Sequence, residues 1–97
     1  MSYEIYYTDE AEANLLELKR QGRIGKLKKI NSAIKKLREN PKHPGLHTHK
    51  NNSIKNQSNQ ETFQSYVENK TPGAFRVFWY YGPDKSEITI FAITRHP

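Results

Sequence analysis

The chain has 97 residues, 16 Lys and Arg against 10 Asp and Glu, and no cysteine. That length makes a single domain spanning 1–97, and a hydrophobic content of 34% supplies one modest core. The missing cysteines exclude disulfides, thiolate zinc sites and thiol nucleophiles and suit a cytoplasmic protein, and no apolar run approaches the roughly 20 residues of a membrane span.

Met1 leads into Ser2-Tyr3-Glu4, without the basic and apolar regions of a secretory leader. Residues 3–7 alternate, with Tyr3, Ile5 and Tyr7 on one side, which predicts a short strand. Thr8 then offers a side-chain oxygen as N-cap, and Asp9 and Glu10 stand where a helix N-terminus favours negative charge. Ala11, Leu15 and Leu18 recur at helical spacing, so 9–20 reads as a first helix, interrupted at Gln21-Gly22-Arg23. Leu27, Ile30, Ala33, Ile34 and Leu37 continue the pattern into a second amphipathic helix over 24–39. Asn40-Pro41 stops it, because the residue before proline avoids the helical region. The short glycine-containing link makes the two helices an antiparallel hairpin.

Residues 41–60 change character. Pro41, Pro44 and Gly45 break regular structure, and 51–60, which holds one apolar residue, is expected to be a mobile surface loop. Strand patterns return at 62–68, 74–81 and 88–94. The Thr71-Pro72-Gly73 and Gly82-Pro83-Asp84 turns between them favour antiparallel neighbours. Along 75–81, Phe75, Val77, Trp79 and Tyr81 point one way and suit the core. Arg76, Phe78 and Tyr80 point the other way, a cation between aromatics suited to holding a phosphate and stacking a base.

The net charge of +6 is unevenly spread. Residues 1–18 carry five acids and no base, residues 19–50 eleven bases and one acid, and residues 51–97 five bases and four acids. A net +10 over 19–50, including Lys28, Lys29, Lys35 and Lys36, is a field suited to a polyanion or an acidic protein segment. His47-Thr48-His49 puts two imidazoles on one side of an extended segment. With His96 they could offer three nitrogens to zinc, but the flanking tract is polar and nothing fixes the third ligand, so no metal and no cofactor are expected.

These features together resemble the RelE/ParE superfamily of type II toxin–antitoxin toxins, including plasmid-stabilisation modules. The likeness runs over nearly the whole chain: β-α-α-β-β-β order, a Lys-rich second helix ending in Asn-Pro, a Pro-Gly segment, and the strand Gly73-Ala74-Phe75-Arg76-Val77-Phe78-Trp79. The run Ile88-Thr89-Ile90-Phe91-Ala92-Ile93-Thr94-Arg95-His96-Pro97 is similar as well. The resemblance implies an α+β fold, an antiparallel sheet packed on a helical hairpin. It also implies a metal-independent endoribonuclease, a hydrolase-type toxin that cuts mRNA on the ribosome and is neutralised by a cognate antitoxin protein. By the same resemblance Arg76 holds the scissile phosphate and His96 is the general acid.

RNA contacts then fall to Arg95, Lys50, His47, His49, Phe78, Tyr80 and Tyr66, with the lysines of the second helix. The chain departs from the family in two places: 62–67 carries no Lys, Glu or His to act as base, and no catalytic Tyr follows the last strand. The base is left open among His47, His49 and Lys50. The alternatives are a ParE-like gyrase inhibitor that cuts no RNA, and an inactive basic module that binds RNA or antitoxin.

Overall fold

The structure is a computed structural model and describes residues 2–55 and 60–95. Strand β1 (Glu4–Tyr7) leads into helices α1 (Asp9–Arg20) and α2 (Ile24–Glu39). A 3-10 turn (Pro44–Leu46) follows, then strands β2 (His49–Lys55), β3 (Glu61–Tyr66), β4 (Phe75–Tyr81) and β5 (Glu87–Arg95). Both helices begin and end where the sequence pattern predicts. Thr8 caps α1 by accepting the Ala11 N–H at 3.2 Å, an interaction worth about 1 kcal/mol. Asn40 leaves α2 in an extended conformation, as a residue before proline must.

One five-stranded sheet runs in the order β1-β5-β4-β3-β2. β1 joins β5 in parallel, and every other pair is antiparallel. The helical hairpin covers one face of this α+β fold. Ala11, Leu18, Ile30, Ala33, Ile34 and Leu37 pack there against Phe75, Val77, Trp79, Ile88, Ile90 and Ile93. Each fully buried aliphatic side chain in that layer contributes about 1.5–3 kcal/mol.

The tract 51–60 is not wholly the loop expected of it, because 51–55 continue strand β2. Leu46 is buried in the core and anchors the 3-10 turn, and β2 pairs with β3 along the sheet edge. Its residues carry no apolar alternation because backbone pairing to one neighbour holds them, with solvent on the other edge. Residues 56–59 of that tract lie outside the described residues.

A buried carboxylate ties the hairpin to the sheet. Glu68, only 7% exposed, accepts from Lys26 and from Lys29 at 3.2 Å, and from the Phe75 N–H at 3.4 Å. Burial pushes its carboxyl up, but the Lys26, Lys29 and Phe75 hydrogen bonds outweigh burial and hold it below the usual carboxylate range.

Candidate functional site

The candidate site lies on the sheet face opposite the helices. Register places Tyr66 across from Arg76 on one side and Thr94 across from it on the other. The three therefore project from one face, since paired residues share a side. The Arg76 guanidinium carbon sits 3.7 Å from the centre of the Tyr66 ring. Gln64, two residues along β3 and so on the same face, accepts a hydrogen bond from Arg76 Nη1 at 2.8 Å. Arg76 Nε is buried and has no hydrogen-bond partner among the described residues. None of the ion pairs among those residues involves Arg76. A buried, unpaired donor of this kind costs about 1–3 kcal/mol.

The segment between α2 and β2 delivers two imidazoles to the same spot. His43 Nδ1 accepts the Gly45 N–H at 2.9 Å, closing the turn. A Cβ at Gly45 would come within 3.2 Å of the His43 ring, so a side chain there would force the ring aside. His47 takes the left-handed conformation at φ 48° and redirects the chain into β2. Thr48 Oγ1 and Ser65 Oγ share a hydrogen bond at 2.7 Å, and Ser65 Oγ also accepts from the buried Trp79 indole N–H at 2.8 Å. A short polar chain from the core thus fixes where β2 begins. His47 and His49 then pack against Tyr66, with ring centres 5.2 and 5.9 Å away.

His49 Nδ1 lies 3.0 Å from the His47 carbonyl oxygen. A carbonyl can only accept, so the neutral imidazole carries its proton on Nδ1 and keeps the Nε2 lone pair free. Arg76, Gln64, Tyr66, His47 and His49 therefore form one cluster: a cation, an aromatic platform and two imidazoles, the histidines exposed and the other three half-buried.

Other residues singled out from the sequence lie elsewhere. Phe78 is not free to stack a base: it is 8% exposed. The cause is an irregularity in β5, where Phe78 pairs with Ala92 but Trp79 with Ile90. The extra residue, Phe91, bulges beside Phe78 and stacks on Tyr80 with centres 6.0 Å apart. The outer face is thus partly closed by its own aromatics. Arg95 pairs with Phe75, on the helix-covered face, so it cannot share a phosphate with Arg76 while β5 stays extended.

Lys50 pairs with Phe63, again on the helix side, and is bound to Glu61 at 3.3 Å. Lys29 is held by Glu68. With Lys36 it lines a cleft of about 370 Å³ that reaches Tyr66, whereas Lys28 and Lys35 are exposed on α2 outside it. His96 lies outside the described residues. No group of three potential metal-ligating side chains occurs among the described residues.

Gln64 is the member of the cluster that sequence reasoning misses. Nothing in its own neighbourhood marks it. Only the β3–β4 register, which follows from the length of the 67–74 connection, sets it beside the arginine.

No protein-family model matches the chain, and neither does any curated protein sequence. Solved structures do. A YoeB/ParE toxin from Agrobacterium tumefaciens superposes with a TM-score of 0.71 at 11% identity, over 97% of this chain and 99% of the other. A YoeB dimer from Staphylococcus aureus gives 0.64 at 17% identity, over the full length of both chains. Two helices on one face of a five-stranded mixed sheet are thus the fold that this chain shares with the YoeB/ParE toxin and the YoeB dimer.

Proposed function

We propose that this chain is the toxin of a type II toxin–antitoxin pair and acts as an endoribonuclease on ribosome-bound mRNA. The observation that carries the reading is Arg76, which joins no ion pair and keeps a buried Nε–H without a partner among the described residues, and stacks on Tyr66, whose ring also meets two imidazoles. In the reaction His49 Nε2 removes the proton of a ribose 2′-OH. The freed oxygen attacks the adjacent phosphorus while the bond to the 5′-oxygen breaks. Arg76 holds the non-bridging oxygens, whose charge grows in the transition state. His96, carried over from the family resemblance, gives its proton to the departing 5′-oxygen. The products are a 2′,3′-cyclic phosphate and a 5′-hydroxyl. Tyr66 supplies a ring on which a base can stack. No step calls for a metal or a cofactor.

The test is to induce the chain in cells and map mRNA ends on translated messages. Cuts in phase with codons that vanish in Arg76→Ala and His49→Gln support the reading. Growth arrest with intact mRNA and blocked DNA supercoiling would replace it with a gyrase-inhibiting toxin. One observation favours that second reading: residues 62–67 hold no Lys, Glu or His, so β3 lends no amine, carboxylate or imidazole beside Arg76.

A further inference from the structure

A second concavity lies on the helix side of the sheet, past the C-terminal end of α2, where the hairpin no longer covers β3 and β4. Its volume is about 460 Å³, within the range of small-ligand sites. Its apolar floor is aromatic: Phe63 stacks on Trp79 with centres 4.8 Å apart and meets Tyr81 edge-on at 5.5 Å. Trp79 is fully buried beneath, while Phe63 and Tyr81 stay half-exposed. Burial pushes the Tyr81 phenol up, and nearby Tyr3 adds to this, so the hydroxyl stays neutral and able to donate. Lys42, His43 and Lys50 stand on the rim. Lys50 is partly offset by Glu61, but Lys42 is exposed and takes part in no ion pair among the described residues. The wall between this groove and the Arg76 cluster is the His47–His49 segment, which lines the groove and whose imidazoles pack against Tyr66.

We infer that this groove is a nucleotide subsite, seating a base against Phe63 and Tyr81 with its phosphate on Lys42, and that it takes a further nucleotide of the RNA strand held at Arg76. The inference rests on the proposed function for the identity of the strand, though not for the chemistry of the groove. Half-exposed rings accept a base of any sequence by stacking, worth about 1–3 kcal/mol per base. The rim supplies the cation that a phosphate needs. A groove for a protein helix would be longer and lined by aliphatic side chains.

The chain has one tryptophan, so its indole N–H gives a single signal in the NMR spectrum of isotope-labelled protein, and the Arg76→Ala variant separates the groove from the neighbouring cluster in its response. Titration with adenosine monophosphate should move that signal saturably at millimolar ligand, together with the amides of Phe63 and Lys42. Inorganic phosphate should leave the indole in place. Lys42→Glu, a surface change that leaves the core intact, should weaken the titration roughly tenfold. Phe63→Ala should abolish it, and if that variant fails to fold, Lys42→Glu alone decides. In Arg76→Ala the shift should persist, which keeps the groove separable from cleavage. If mRNA stays uncut but the shift remains, the function falls and the groove stands. No saturable indole shift, a shift that disappears with Arg76→Ala, or groove signals that move with an acidic amphipathic peptide and not with the nucleotide would each overturn the inference.

Discussion

Arg76 and Tyr66 face each other across neighbouring strands, with the guanidinium carbon 3.7 Å from the ring centre. The contact holds the guanidinium flat while Nη1 donates to Gln64, a geometry a lysine cannot copy. Arg76→Lys should therefore lose nearly as much cleavage as Arg76→Ala, on the order of a hundredfold to a thousandfold for loss of a transition-state donor. Single-turnover cleavage of a ribosome-bound message measures both. Thermal unfolding of the two variants should stay close to the parent, because the substitution also removes an unpaired buried donor.

Gln64 acts through Arg76. Gln64→Leu keeps the side-chain volume but releases Nη1, so the guanidinium is held less firmly. Cleavage should fall about tenfold, the scale of one charge-assisted hydrogen bond, and Gln64→Asn should recover part of it only if the shorter amide still reaches. Combined with Arg76→Ala, the Gln64 change should add nothing further, and a double-mutant cycle reads this directly.

Glu68 gives the fold a dependence on acid. Its carboxyl is held low in the native state, so over the acid range the unfolded chain binds the extra proton first. Stability from this group is complete above the ordinary carboxylate value of 4.5 and is lost as pH falls through the native value below it. Glu68→Gln should flatten that acid limb. At neutral pH it should cost about 1–3 kcal/mol, since the half-buried Lys26 loses its charged partner. Urea unfolding across a pH series checks both.

Ser65→Ala removes the acceptor of the Trp79 indole and the partner of Thr48 in one step. A buried indole N–H left unsatisfied costs about 1–3 kcal/mol, read from urea unfolding followed by tryptophan emission. Because the same hydroxyl positions the start of β2, cleavage should fall as well, through misplacement of His49.

The helices were legible in the sequence because their signals are local. Thr8 caps, the apolar residues from Leu27 to Leu37 recur on one face, and Asn40-Pro41 ends the run. β4 and β5 were legible because alternation with aromatic and β-branched residues is strong there. β2 was not, since an edge strand written His-Lys-Asn-Asn-Ser-Ile-Lys is held by main-chain pairing that polar side chains do not announce. For the same reason His47 and His49 could be named as candidates but not placed against Tyr66. The burial of Phe78 depends on the bulge at Phe91, a property of how two strands meet. Arg95 could be placed once Phe75 was assigned inward, because register decides the rest.

The sheet order has a consequence for the order in which the protein can become competent. β5, the strand synthesised last of the five, lies between β1 and β4. It is tied to the start of the chain by the Thr8 N–H to Ile90 and by Asn14 Oδ1, which accepts the Ile93 N–H. Until β5 emerges, β1 has no neighbour and the Arg76 strand has one bare edge. A nascent chain therefore carries its lysines and its arginine without the sheet that organises them, and competence arrives in one late, long-range step rather than building up as synthesis proceeds.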